Sequence, residues 1–265
     1  MNGGKELRLS HVLNPVDGRG VILEADLGSM LGGVPGLEDM SKVREALGAV
    51  DAFILSLGQI DRLLDCLKGK EGPSLIVRSD WTNAYRGGDY ILPAVDLRYV
   101  STVTPEDALR HGADAVAAYL IVGYDRDEDE ASNMEALAST ARACEEYGLP
   151  LLVQVLPVGG RVTEENYFDC VKLGVRQAVE VGGDLIAAPL KRGGGDLFKQ
   201  LVELAKAPLM MLEDFSEAVE PATLARSAVE SNAAGVILGR KTLQAAKFAE
   251  IVRNVRSTIH GGLTP

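Results

Sequence analysis

Residues Asp184–Asp196, DLIAAPLKRGGGD, place one lysine at the end of a short apolar run, with three glycines behind it. The run predicts a buried strand that stops at Lys191, and the glycines predict a turn before a helix that begins at Asp196. Apolar walls and the adjacent Arg192 would both disfavour a charged lysine, so its amine could act as a nucleophile near neutral pH. The stretch indicates either a Schiff-base lysine or an ordinary solvated strand end.

Two glycine-containing stretches predict contacts to an anionic substrate group. Gly194 and Gly195 leave backbone N–H groups at the predicted helix start, where an anion can bind beside Arg192. Gly239 and Arg240 follow the last apolar run of the chain and also begin a helical pattern. An arginine at that position adds a bidentate donor suited to a phosphate or carboxylate.

The composition is that of an ordinary globular protein, because 46% of the 265 residues are hydrophobic and 25% are charged. A net charge of −11 argues against a broad surface for nucleic acid or anionic membranes. Three widely spaced cysteines indicate reduced thiols and no zinc site. No stretch has the length or character of a signal peptide or membrane span. We expect a cytoplasmic protein that binds neither nucleic acid nor membranes.

Eight apolar runs alternate with amphipathic stretches along the chain, and their continuous apolar character is typical of parallel strands covered on both faces. Eight such units predict an α/β fold, a single-domain (β/α)8 TIM barrel over residues 20–265, closed at the bottom by residues 1–19. The long connection at 78–101 is expected to lie over the barrel mouth as a lid or subunit contact. The predicted strands are Val21–Ala25, Ala52–Leu57, Leu75–Val77, Ala115–Val122, Leu151–Leu156, Leu185–Pro189, Leu209–Leu212 and Gly235–Leu238.

Active sites of such barrels lie at the carboxyl ends of the strands. No histidine falls there, so a Ser-His-Asp triad is not expected. The residues themselves leave two chemistries open: covalent catalysis by the lysine, or a Mg²⁺ or Mn²⁺ ion held by Glu24, Asp26, Glu213 and Asp214. Salt bridges around the rim would explain the acids equally well. The polar residues at these ends are Glu24, Asp26, Gln59, Arg78, Asp80, Tyr124, Gln154, Lys191, Arg192, Glu213, Asp214 and Arg240.

The chain resembles the archaeal-type class I aldolases, the DhnA-like branch of the DeoC/FbaB/LacD family, over nearly its whole length. The resemblance rests on Leu7–Gly28, Thr104–Ala115, Leu149–Gly160 and Asn232–Gln244. It implies a barrel fold, a homo-oligomer, no cofactor, and aldol chemistry through a Schiff-base lysine on the sixth strand. It also implies that Asp26 is the active-site aspartate and that Gly239 and Arg240 belong to a phosphate loop.

This sequence departs from the family pattern at the lysine itself. The family position three residues after Asp184 is Ala187, and Lys191 lies four residues further, roughly 13 Å along a regular strand. Strand side chains alternate, so Lys191 shares the parity of Ala187 and could still face inward if the strand continues or bulges. The other replacements are Leu27 for a histidine, Leu156 for a tyrosine, and Glu213-Asp214 for a Gly-Gly pair that binds phosphate in the family.

These observations predict a class I aldolase or related carbon–carbon lyase of carbohydrate metabolism that acts on a small carbonyl or sugar-phosphate substrate. Lys191 is the candidate covalent lysine and Asp26 the candidate acid or base. The candidate substrate contacts are Gly239, Arg240, Gly194, Gly195, Arg192, Gln154, Glu213 and Asp214. Two alternatives stay open: a barrel that binds a phosphorylated metabolite without turnover, and a divalent-metal-dependent lyase that uses the four acids.

Overall fold

The structure, a computed structural model, describes residues 2–191, 194–213 and 219–261. Its strands are β1 Gly20–Glu24, β2 Ala52–Leu55, β3 Ser74–Arg78, β4 Asp80–Thr82, β5 Tyr99–Ser101, β6 Ala115–Val122, β7 Leu151–Pro157, β8 Leu185–Pro189, β9 Leu209–Leu212 and β10 Gly235–Leu238. Eight of them form a closed parallel barrel in the order β1-β10-β9-β8-β7-β6-β3-β2. The predicted (β/α)8 barrel is therefore confirmed, and each predicted apolar run supplies one of its strands.

Helices connect the strands and cover the outside of the barrel. They are α1 Gly3–Val12, α2 Gly28–Leu31, α3 Ser41–Glu45, α4 Leu57–Leu67, α5 Pro105–Arg110, α6 Asp127–Tyr147, α7 Tyr167–Glu180, α8 Gly195–Ala205, α9 Pro221–Glu230, α10 Arg240–Gln244 and α11 Phe248–Ile259. Local sequence sets their ends: Thr104 caps α5 through a bond from the Asp107 N–H at 3.1 Å, and Gly148 ends α6 in the left-handed region. Within the described residues, no helix is long and apolar enough to span a membrane.

The register of three neighbouring strands decides which side chains share a layer inside the barrel. Gln154 of β7 pairs with Ala187 of β8, and Ala187 pairs with Met210 of β9. Gln154 reaches across the barrel to the Glu24 carboxylate of β1, so this layer points inward. Ala187 therefore presents only a methyl group to the interior.

The residues 80–101, here called the β4–β5 segment, form an antiparallel pair of strands and a long turn after β3. Trp81, Arg86 and Tyr90 each donate a hydrogen bond to a backbone carbonyl of α2, at 2.9, 2.9 and 2.7 Å. The turn brings the hydroxyl of Tyr85 to 3.2 Å from that of Tyr119 inside the barrel. The segment is thus fixed to α2 and covers the interior at the carboxyl ends of the strands.

The helix α1 lies at the opposite end of the barrel. The amine of Lys5 is 2.8 Å from the Glu145 carboxylate and 2.9 Å from that of Asp184, which directly precedes β8. Arg8 donates to the carbonyl of Gly148, just before β7, at 3.1 Å. These contacts place the N-terminal helix against the amino ends of β7 and β8.

Candidate active site

Arg78, the last residue of β3, is the centre of a buried polar cluster. Its Nε lies 2.6 Å from Asp26 Oδ2, and its Nη2 lies 2.8 Å from Glu24 Oε1. Nη1 is 3.7 Å from Asp80 Oδ1, and Nη2 also donates to the amide oxygen of Gln154. Only 2% of the arginine is exposed. The acids raise the pKa of the guanidinium well above its usual value against the opposing effect of burial, so it stays charged.

The Glu24 carboxyl receives several donors on one oxygen. Oε1 accepts hydrogen bonds from the hydroxyl of Tyr119 at 2.8 Å and from Gln154 Nε2 at 3.1 Å, besides Arg78. Burial and the nearby Asp26 raise the pKa of Glu24 to about 7, although Arg78 and the donors oppose the rise. A carboxyl with this pKa exchanges protons near neutral pH, which is what an acid–base catalyst needs.

Three buried polar atoms of this cluster have no hydrogen-bond partner. They are Asp26 Oδ1, Arg78 Nη1 and Asp80 Oδ1. Asp80 accepts the Tyr119 N–H at 2.6 Å through its other oxygen, and burial raises its pKa to about 7. Unpaired buried polar atoms are rare in proteins. Arg78 Nη1 and Asp80 Oδ1 face each other at 3.7 Å, which is beyond hydrogen-bond distance, so neither atom is fully satisfied.

Tyr119 belongs to this cluster but is not among the residues predicted from the sequence. It lies in the middle of β6, whereas the predicted site residues lie at or beyond strand ends. Its ring stacks on the Arg78 guanidinium at 3.8 Å, and its hydroxyl joins Tyr85 to Glu24. A usable signal was present, since Tyr119 carries the only polar side chain in the run AVAAYLIV.

Lys191 does not join the cluster. Strand β8 ends at Pro189, so the inward parity expected for a continued strand does not reach residue 191. The amine instead lies 3.9 Å from the centre of the Tyr167 ring on α7. It lines a cavity of about 210 Å³ between α7 and α8, together with Phe168 and Phe198. No lysine among the described residues forms a hydrogen bond or ion pair with the Arg78 cluster.

Glu213 follows β9 and turns its carboxylate into the loop after β10. Oε1 accepts the N–H groups of Lys241 at 2.7 Å and Thr242 at 3.1 Å. Oε2 accepts the N–H of Gly239 at 3.2 Å and also the Thr242 hydroxyl. The predicted phosphate loop therefore holds a carboxylate of the protein itself, and Glu213 is not left to repel a ligand there as a free charge.

The other predicted anion-binding residues are not gathered in one site. Arg240 is exposed at the start of α10, and the Gly194 N–H donates to the Lys191 carbonyl at 3.0 Å, so it is not free for an anion. Gly195 begins α8. Arg192 and Asp214 lie outside the described residues.

Three of the four acids of the predicted metal alternative lie among the described residues, and they are not brought together as one set. Arg78 binds Glu24 and Asp26 directly and offsets part of their charge, whereas Glu213 is held by backbone N–H groups after β10. In the described part of the chain, no group of three or more histidines, cysteines or acids is arranged to hold a metal ion. This geometry gives the metal-dependent alternative no support.

Comparisons with known proteins agree on the family. A family model described as DeoC/LacD family aldolase matches residues 13–245. The 2-amino-3,7-dideoxy-D-threo-hept-6-ulosonate synthase of Halobacterium salinarum is 30% identical, over 100% of this chain and 94% of its own. An uncharacterised aldolase of Saccharolobus solfataricus is 28% identical, over 97% of this chain and 94% of its own.

Solved structures agree on the fold. An archaeal fructose-1,6-bisphosphate aldolase, with its catalytic Lys covalently bound to the carbinolamine intermediate of the substrate, superposes with a TM-score of 0.80. The two share 23% sequence identity over 98% of this chain and 100% of that chain. At this identity the likeness establishes the barrel architecture alone.

Proposed function

Because this chain belongs to the DeoC/LacD family of aldolases, we propose that it is an aldolase-type enzyme whose acid–base centre is Glu24. The substrate is a small carbonyl compound of the sugar type, which the name of the hept-6-ulosonate synthase relative supports. The observation that carries the proposal is the buried Glu24 carboxyl with a pKa of about 7, beside three polar atoms that lack partners.

The cluster supplies the groups that proton transfer next to a carbonyl needs. The ionised Glu24 takes a proton from the carbon beside the carbonyl, and the electron pair of that C–H bond moves onto the carbonyl oxygen. Arg78 Nη1, which makes no hydrogen bond and lies 3.7 Å from Asp80 Oδ1, is the donor we assign to that oxygen. The protonated Glu24 then returns a proton to carbon. Asp26, expected as the acid or base, is fully buried and acts in this proposal as the counter-charge that orients Arg78.

Substrate entry requires the β4–β5 segment to move. The side chains of Glu24, Asp26 and Arg78 are at most 4% exposed, and Tyr85 covers them through Tyr119. Closure of this kind excludes water from the reacting groups once the substrate is bound.

Exchange of carbon-bound protons with D₂O tests the activity without knowledge of the second substrate. Dihydroxyacetone, hydroxyacetone and pyruvate are incubated with the protein, and the α-proton signals are followed by ¹H NMR. We expect the enzyme to accelerate their loss for at least one compound. A ligand that raises the melting temperature while no compound exchanges would support the alternative of binding without turnover.

A Schiff base on Lys191 is the second candidate. The observation in its favour is the place of the amine in a cavity beside Tyr167, at the end of the strand on which the family carries its lysine. In that case an amine and a carbonyl condense to an imine with loss of water. The reaction would then take place between α7 and α8, outside the Arg78 cluster.

A further inference from the structure

The loop after β10 offers the kind of donors that bind a phosphate, and Glu213 already uses them. In barrel enzymes the loops after the seventh and eighth strands commonly hold a phosphate through backbone N–H groups. Here these are the loops after β9 and β10. Three backbone N–H groups and one hydroxyl, from Gly239 and the first turn of α10, point at Glu213, and we refer to them together as the β10 loop. The side chain is 7% exposed, so its charge is compensated by these bonds and not by solvent.

A phosphate could enter this loop only by displacing Glu213. Displacement would leave a buried carboxylate without its four donors, which is costly, and the two anions would repel each other while close. The loop also borders the proposed acid–base centre, because a Cβ atom at Gly239 would stand 3.4 Å from Glu24 Oε2. The group excluded from the loop is therefore one that lies next to the reacting carbons.

We propose that Glu213 is a specificity-determining residue: its carboxylate occupies the anion site, and the substrate carries an uncharged group, such as a hydroxymethyl, at this end. The substrate class rests on the proposed function, whereas the occupation of the loop by Glu213 does not depend on it. Glu213 thus separates unphosphorylated carbonyl compounds, which fit, from their phosphate esters, which do not.

Direct binding of inorganic phosphate tests whether Glu213 keeps the loop closed to anions. Titration of the wild type, Glu213→Gln and Glu213→Gly, followed by ³¹P NMR and calorimetry, gives the dissociation constants. We expect Glu213→Gly to bind phosphate at least about tenfold more tightly than the wild type, roughly 1.4 kcal/mol. Glu213→Gln should fall between them, because it removes the charge but still fills the loop. Glu230→Gln, an exposed acid on α9, is the matched control and should behave as wild type.

Two results would overturn the proposal. One is phosphate binding by the wild type that is as tight as in Glu213→Gly. The other is a Glu213→Gly protein that has native circular dichroism but gains no affinity for phosphate. If the glycine variant does not fold, the phosphate affinity of Glu213→Gln decides the case. Neither result depends on catalysis, so failure of α-proton exchange leaves this test intact. In an active enzyme, Glu213→Gly should shift the kcat/KM ratio of dihydroxyacetone phosphate to dihydroxyacetone at least about tenfold towards the phosphate.

Discussion

At the scale of single residues, Arg78 explains why the acids at the barrel mouth do not form a metal site. Its guanidinium contacts Glu24 and Asp26 at 2.8 and 2.6 Å and lies 3.7 Å from Asp80. The sequence placed these residues at strand ends, so their meeting was predictable from the fold. Which of these side chains form ion pairs was not predictable, because pairing depends on how far each side chain reaches across the barrel. Tyr119 could not be predicted for a related reason: its mid-strand hydroxyl reaches the cluster only because the side chain faces inward.

The pH dependence of exchange identifies the carboxyl that acts as the base. Only the ionised form removes a proton, and burial raises the pKa of Glu24 to about 7. The rate should therefore rise with pH through about 7 and level off above it. Asp80 has a similar pKa for the same reason, so Asp80→Asn is the discriminating control. If the rising limb survives in Glu24→Gln and disappears in Asp80→Asn, the assignment to Glu24 is contradicted.

At the scale of elements, the early end of β8 decides the position of Lys191. A regular strand would carry Lys191 on the inward face, but β8 and its register with β9 end at Pro189. The Lys191 amine instead lies against the Tyr167 ring on α7. A count of residues along the sequence cannot show where a strand stops pairing. The inward layer of β8 therefore contains Ala187, whose methyl group cannot form an imine.

Reduction with borohydride separates the two candidate mechanisms at this element. If Lys191 forms an imine, borohydride with dihydroxyacetone should add a stable mass to the wild type and to Lys199→Ala, but not to Lys191→Ala. Lys199 is exposed on α8 and serves as the matched lysine. The Glu24 mechanism instead predicts no such label at residue 191 and full α-proton exchange in Lys191→Ala. Loss of both label and exchange in that variant would refute it.

At the scale of the whole molecule, the fold was predictable because its signals repeat. Eight apolar runs, each followed by a helix, specify a barrel even when single boundaries shift by a residue or two. The site has no such redundancy, since each contact depends on one side chain.

The homo-oligomer stays a prediction. Ile91 and Val95 on the β4–β5 segment, 86% and 96% exposed, are among the exposed apolar side chains available to such a contact.

The N-terminal helix contributes to stability through one buried amine. Lys5 is 2% exposed and binds Asp184, whose side chain is 11% exposed, and Glu145, whose side chain is 58% exposed. Lys5→Met should lower the free energy of unfolding by roughly 3 kcal/mol, because it leaves the mostly buried Asp184 carboxylate without its counter-ion, with the Leu151 N–H still donating to it. Glu145→Gln should cost less than about 1 kcal/mol, since that partner is largely in solvent. Urea unfolding of both variants measures the difference, and equal losses would show that burial of the pair does not matter.

The α-proton exchange rate of Glu24→Gln decides whether Glu24 is the base. The amide keeps the size of the carboxyl and can still accept the Tyr119 hydroxyl, but it cannot take a proton. With the compound that exchanges fastest in wild type, the rate should fall by about 10² to 10⁴. Glu230→Gln should leave it unchanged, and circular dichroism should show both variants folded. A folded Glu24→Gln protein that exchanges at the wild-type rate would contradict the account.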